Sequence, residues 1–381
     1  MYTDMTSPAT ATQVPQTADI VIVGGGIAGV SLAAEIGDRA RVVVLETEDA
    51  LFRHTSSRSA QQVQPSYGPP AIRRLTATTL DLLRALDERA PDPVLSPRTL
   101  YVVGLDDSSM VQRMADQGTG LRMTTPAEVE DAIPGVLPGL VREVAADDRA
   151  SEVKVDVLLS RYAQRAQLAG VEFVSRAKLT AVARVGSSYR LNTTAGTITT
   201  PIIVNAAGAW ADDVAVLAGS QPLGLTPLRR TVILAAPTRT PIGAAWPMLY
   251  DAAGSVYFRP RGGDVLASPL EDEASVAENA RPRRAVVEQT LARLNALTSF
   301  EVTTAREAWT GLRTVSPDDV PAVGFDGDVD GLFWLAGQGG YGIQTSAAIS
   351  ILAAAAILGA VSPLTMDDQS AFESMDPNRF G

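Results

Sequence analysis

Three glycines and one carboxylate carry the first chemistry legible in the chain. Gly24, Gly26 and Gly29 hold the G-x-G-x-x-G positions directly after the β-branched run Ile20-Val-Ile-Val23, and Glu46 closes the next apolar run, Arg41-Val-Val-Val-Leu-Glu46. Gly24 allows a tight turn, Gly26 lets the backbone approach a pyrophosphate, and Gly29 lets the following helix pack closely on the strand. Ile27 and Ala28 open that helix, where free N–H groups and the positive dipole end favour an anion. Glu46 stands where a carboxylate takes a ribose hydroxyl, which argues against a 2′-phosphate. A glycine-rich turn with no nucleotide is the bland alternative. The strand before it, the alanine-rich helix after it (Ala28, Ala33, Ala34) and the acid at the expected distance weigh against that alternative. The residues thus specify a dinucleotide site and leave FAD, NAD and NADP to be separated.

Further along, the loop Asp49–Ala60 carries Ser56, Ser57, Arg58 and Ser59, donors suited to a phosphate or to the polar edge of a ring. Ile202–Trp210 reads as a second buried strand ending in small residues, where a backbone must come close to a ligand or to another strand. The strand Gly331–Ala336 then feeds Gly337-Gln-Gly-Gly-Tyr-Gly-Ile343, read as a second glycine-rich helix N-terminus entering the C-terminal helix.

Elements that position these groups follow from periodicity. Helical spacing marks 71–86, 110–117, 154–168 and 284–297; short strands are expected at 100–103, 171–174, 179–183, 231–235, 255–258 and 265–267. Residues 226–305 read as an antiparallel sheet with one amphipathic helix. The apolar run Ala347–Ala360 is too short and too rich in alanine to span a membrane and is expected to be a buried core helix.

Composition narrows the chemistry. At 381 residues two domains are the default. A net charge of −11 and a pI near 4.7 disfavour nucleic acid and anionic membrane surfaces as partners. With no cysteine there is no disulfide, no thiol redox pair and no cysteinyl cofactor link, and the single histidine, His54, cannot build a metal site; no metal is expected. Residues 1–17 lack the basic and apolar regions of a signal peptide and read as a disordered lead-in to a cytoplasmic protein.

Taken together, G-G-G-I-A-G at 24–29, R-S-A at 58–60, N-A-A-G-A-W at 205–210, W-T-G-L-R at 309–313 and G-Q-G-G-Y-G-I-Q-T-S-A-A at 337–348 resemble the FAD-dependent D-amino acid oxidoreductases, the group of glycine oxidase and sarcosine oxidase. Within that group the chain resembles bacterial D-arginine dehydrogenase. The resemblance implies an α/β fold: a glutathione-reductase-type FAD-binding domain with a Rossmann βαβ unit (18–98, 145–228 and 306–381), and an α+β substrate domain built on an antiparallel sheet (99–144 and 229–305). It implies FAD as cofactor, touched by Gly24, Gly26, Ile27, Ala28, Gly29, Glu46, Arg58, Ser59, Ala60, Ala207, Gly208, Trp210, Arg313, Gly339, Gly340, Tyr341, Gly342 and Ile343, with the adenine near Lys178 and Leu179. Arg230 and Arg313, helped by Tyr257, would hold a substrate carboxylate; Tyr67, Met248, Tyr250, Gly340 and Gln344 would line the rest of the pocket.

Two departures from D-arginine dehydrogenase bear on the substrate. Gln62 stands where that enzyme has an active-site histidine, and Leu100 replaces the acidic residue that receives a cationic side chain. Without that carboxylate, burying a guanidinium or ammonium would cost several kcal/mol. The expected reaction is oxidation of an α-amine to the imine by hydride transfer to flavin N5, on a D-amino acid with a non-cationic side chain. Hydrolysis then gives the 2-oxo acid, and oxygen or a quinone-type acceptor takes the electrons. No protein base is demanded, because a neutral amine suffices; the guanidinium clamp supplies orientation. A glycine- or sarcosine-type N-alkyl amino acid oxidase is the alternative in the same chemistry, and an FAD-holding electron-transfer subunit the alternative outside it. A link from FAD to His54 stays open. An NAD-only reading leaves Arg58-Ser59 and Gly337–Gln344 idle.

Overall fold

The computed structural model describes residues 10–380. Ile20–Val23 forms the centre of a six-stranded sheet because its β-branched residues are buried on both faces, as a parallel strand requires. The strand order is Ala322–Phe325, Leu332–Ala336, Ile202–Asn205, Ile20–Val23, Val42–Leu45, Glu172–Val174, all parallel but for the first. Ile20 and Ile22 face the helices Ile27–Ile36, Val155–Leu168 and Ser346–Leu358, while Val21 and Val23 face a three-stranded antiparallel sheet running from Leu179 to Thr200. The period of two along one strand thus builds two cores.

A second sheet of eight strands stands beside the first. Its order is Ala305–Val315, Thr226–Ala235, Asp264–Ser268, Tyr257–Arg261, Met248–Asp251, Leu100–Gly104, Glu143–Asp147, Arg122–Thr124. The sequence led us to expect an antiparallel sheet, but Met248–Asp251 and Leu100–Gly104 run parallel, with Met248 opposite Leu100. Strands so far apart in the chain are joined by long crossovers, which free them from the hairpin geometry that makes neighbours antiparallel. Glu143–Asp147 and Ala305–Val315, assigned on sequence largely to the FAD-binding segments, pair within this sheet. A small sheet of Gln62–Val63, Ser151–Val153 and Leu95–Pro97 lies between the two.

Several helices match their expected spans closely: Pro70–Asp87, Met110–Asp116, Val155–Leu168 and Arg284–Leu297. The C-terminal helix is buried as expected but begins later, at Ser346. Residues 339–345 form turns, because Gly337 and Gly339 take positive φ (68° and 48°) that an α-helix cannot continue. The expected disordered lead-in is corrected for residues 10–17: Ala11 donates to the Phe173 carbonyl at 2.8 Å and Thr199 donates to the Gln16 carbonyl at 3.0 Å. Strand edges offer unpaired backbone groups, and this segment satisfies them. Residues 1–9 lie outside the described residues. No described helix is long and apolar enough to cross a membrane.

Candidate active site

The glycine turn does what its spacing implies. A Cβ on Gly29 would stand 2.1 Å from the Gly24 carbonyl oxygen, so only glycine lets the Ile27–Ile36 helix lie this close. Gly24 has φ +118°, and a Cβ there would meet the Ala206 carbonyl oxygen at 2.3 Å. Gly26 caps the helix and faces open space, its nearest neighbour being Ser56 Oγ at 3.4 Å from a would-be Cβ. Two groups add to the cradle beyond the motif. Gly25 donates its N–H to Glu46 Oε2 at 2.9 Å, and its missing Cβ makes room for that carboxylate. Ser56 Oγ accepts from the Ile27 N–H at 2.9 Å, satisfying one free amide of the helix start. A third consecutive glycine was the available sequence signal for the first; nothing local signalled the second.

Glu46 is buried, and burial pushes its carboxyl above the usual range, against the N–H donors of Glu48 and Gly25. It lines a chamber with Lys178 and Leu179, expected near the adenine, and with Ala207, Gly208 and Trp210, expected to touch the cofactor. His54 also lies here, its Nε2 at 2.9 Å from Glu48 Oε1 and its ring 4.9 Å from Trp210. It does not line the neighbouring arginine chamber.

That second chamber shares Gly26, Thr55, Ser56, Arg58, Ala206 and Gly208 with the first, so the two form one long cleft. Arg230 and Arg313 reach it from adjacent strands. Arg313 pairs with Leu228 and Arg230 with Gly311, which puts both arginines on one face of the sheet, two residues apart in register. Arg230 and Val232 turn to the chamber, while Ile233 and Ala235 turn to the core backed by the Arg284–Leu297 helix. Arg230 Nε donates to the Glu271 carbonyl at 2.7 Å; Arg313 Nη1 lies 3.5 Å from the Tyr67 hydroxyl. Burial and the Arg313 charge both press the Arg230 value below the ordinary arginine range. Neither guanidinium is ion-paired among the described residues, and no carboxylate lines the chamber. Two unspent cations in such a site call for an anion.

Most expected residues meet here: Ile27, Ala28, Ser59, Ala60, Gln62, Tyr67, Met248, Tyr250, Tyr257, Gly339, Gly340, Gly342, Ile343 and Gln344. Gly340 is glycine for a visible reason, since a Cβ would fall 3.1 Å from Arg313 Cζ. Three residues differ in role from expectation. Arg58 lines both chambers, but its guanidinium is spent on the Thr310 carbonyl (2.6 Å), Asn279 Oδ1 (2.6 Å) and the Ala280 carbonyl (3.3 Å), because these acceptors stand within its reach. Leu100 lies in the apolar core with Met248 and Tyr257 rather than on the chamber wall. Tyr341 packs its ring 5.3 Å from Tyr67 and does not line the cleft. Gln344 lines the chamber as expected and also gives its amide N–H to Thr76 Oγ1 at 3.0 Å, tying the glycine turn to the Pro70–Asp87 helix. Sequence reading missed Gln64, Leu270, Thr314 and Gln338 on the chamber wall; Gln64 could have been found from the period of two after Gln62.

Comparison with known proteins agrees with this geometry. Residues 19–356 match the family model described as FAD dependent oxidoreductase. The chain is 25% identical to hydrogen cyanide synthase subunit HcnC of Pseudomonas aeruginosa, over 88% of this chain and 91% of that protein. It is 27% identical to glycine oxidase of the same organism, over 83% and 88%. The crystal structure of glycine oxidase from Geobacillus kaustophilus superposes with a TM-score of 0.82 at 21% identity, covering 92% of this chain and 97% of that one. A dinucleotide fits the cleft, whose Gly26 and Gly208 leave its floor open where a Cβ would otherwise project. The chain belongs to the FAD-dependent oxidoreductase family, and FAD is its cofactor.

Proposed function

We propose that this protein oxidises the α-amine of a small amino acid with an uncharged side chain. The observation that carries the reading is the pair of unpaired guanidiniums, Arg230 and Arg313, in a chamber that no carboxylate lines. Arg313 presents a planar fork to the substrate carboxylate, Arg230 adds its free Nη groups from the next strand, and the Tyr257 hydroxyl, buried without a partner, donates to the same group. This clamp fixes the α-carbon in the cleft. FAD, when bound, supplies the acceptor for the two electrons lost by the substrate. The Cα–H electron pair leaves the substrate, the nitrogen loses a proton to water, and the imine hydrolyses to the 2-oxo acid and ammonia. The absence of an acid on the chamber wall excludes cationic side chains, whose burial would be uncompensated.

The D-enantiomer is part of the proposal. A second reading, glycine or an N-methyl amino acid as substrate, is favoured by the crowding of Tyr67, Tyr250, Tyr257, Met248 and Leu270 around the arginines and by the likeness to glycine oxidase. Arg313→Lys tests the shared core of both. A point charge cannot reproduce the fork, and a loss of about 3 kcal/mol should raise KM more than a hundredfold while FAD stays bound. Unchanged kinetics would remove Arg313 from the carboxylate site. Anaerobic bleaching of the flavin by D-, L- and N-methyl amino acids, followed by admission of air, separates the two readings and tests oxygen as acceptor.

A further inference from the structure

Among the described residues, three buried side-chain atoms on the wall of the arginine chamber have no hydrogen-bond partner: the Tyr257 hydroxyl, Thr314 Oγ1 and Gln62 Oε1. The two hydroxyls can turn to donate or accept; the amide oxygen can only accept. Its orientation is fixed by chemistry. Gln62 donates through Nε2 to the Arg98 carbonyl at 2.9 Å, and a carbonyl cannot receive the other end of the amide. The oxygen is therefore the free branch.

The support beneath Gln62 is rigid. The strand Gln62–Val63 pairs with Ser151–Val153, Gln62 opposite Glu152. Gln61 before it is left-handed, with φ 58°, and its own amide oxygen accepts from Arg259 at 2.8 Å. Arg259, fully buried, also holds Glu152 at 2.8 Å and the Ala60 carbonyl at 2.8 Å, and Arg98 binds the other oxygen of Glu152. This Arg259–Glu152–Arg98 network sends the Gln61 side chain to the arginine and Gln62 to the chamber.

We propose that Gln62 Oε1 is the acceptor for the substrate amine, the second fixed point beside the guanidinium clamp. The inference rests on the carboxylate reading above. A buried acceptor without a donor is unfavourable, and the amine N–H removes that deficit when substrate enters. No acid competes for the amine, because none lines the chamber. An amide holds an N–H without taking the proton, so the ammonium must lose its proton to water. The pH profile of kcat/KM then carries the substrate amine without a second ionisation at this position. A histidine there would add one.

The test uses purified holoenzyme of the unaltered protein, Gln62→Leu and Gln62→His, with flavin absorbance as the readout. Propionate probes the clamp without an amine; D- and L-alanine add the amine to the same skeleton. Half-saturation by propionate is expected to stay within twofold in all three proteins, whereas that by alanine rises ten- to a hundredfold in Gln62→Leu. Gln62→His should recover alanine binding and add an ionisation to the kcat/KM profile. Equal weakening of propionate and alanine in Gln62→Leu, or no weakening of either, overturns the proposal. So does an unaltered protein that binds propionate but neither alanine. Failure of propionate to bind the unaltered protein overturns the carboxylate reading itself and this inference with it.

Discussion

The two ends of the cleft are built on opposite principles. At the glycine end the polar groups are mostly engaged before any ligand arrives: Glu46 accepts from Gly25 and Glu48, and Ile27 donates to Ser56. At the arginine end, among the described residues, two guanidiniums lack anions and three buried polar atoms lack partners. The first end is a shape made by backbone, and it has to be exact to pack at all. The second is chemistry held in reserve, and its deficits are what a substrate relieves. Substitutions at the first end should therefore register in folding and cofactor retention, and those at the second in substrate binding.

The largest effect expected is at Gly24. Gly24→Ala places a side chain at φ +118° and 2.3 Å from the Ala206 carbonyl oxygen, so strain and overpacking add to about 4 kcal/mol. Urea denaturation should show a lowered midpoint and the purified protein should lose flavin. A midpoint equal to that of the unaltered protein would erase the distinction between the two ends, since it would mean that the glycine end has slack.

Arg58 sharpens the comparison because it belongs to both ends. Its guanidinium ties the Thr55–Ser57 turn to Thr310, on the strand that carries Arg313, and to Asn279 and Ala280 across the cleft. Arg58→Met keeps the stem but leaves those acceptors unpaired, for a loss of about 2 kcal/mol in stability. A rise in KM should accompany it, as the Arg313 strand loses its tether. Loss of cofactor affinity alone, with stability and KM intact, would instead make Arg58 a direct ligand of the cofactor.

Arg58 also marks the limit of what could be read in advance. The glycine turn was legible because its spacing is a local pattern, Gly29 meeting Gly24, with Glu46 at the end of the next strand meeting Gly25. Amphipathic helices such as Arg284–Leu297 were legible from their period. Thr310, Asn279 and Ala280, which hold the Arg58 guanidinium, by contrast lie more than two hundred residues along the chain, and its residue type alone suggested a phosphate ligand. Met248–Asp251 went unread as a strand because it is short and follows Pro247, with no alternation to announce it. The free oxygen of Gln62 depends on the direction of one amide, which the Arg98 carbonyl decides. Most residues that line the arginine chamber were nameable through resemblance; which of their atoms are spent and which are free required the fold.

The smallest effect concerns Glu46, where pH can separate the empty cradle from the filled one. Burial raises its carboxyl above the ordinary value of 4.5, although the Glu48 and Gly25 N–H groups pull the other way. A group raised in the folded state contributes stability that is fully present below its unfolded value and lost as pH rises through its folded value. Protein stripped of FAD should thus lose part of its stability across the weakly acidic range. On the proposed contact, a ribose hydroxyl donates to this carboxylate and favours its charged form, so FAD binding should expel a proton and tighten as pH rises through the same range. One hydrogen bond of about 1 kcal/mol corresponds to roughly fivefold in Kd. Quenching of flavin fluorescence from pH 5 to 8 would measure it, and Glu46→Gln should flatten the dependence. A flat profile in the unaltered protein would place the ribose elsewhere and leave Glu46 as a brace for Gly25, purely part of the shape.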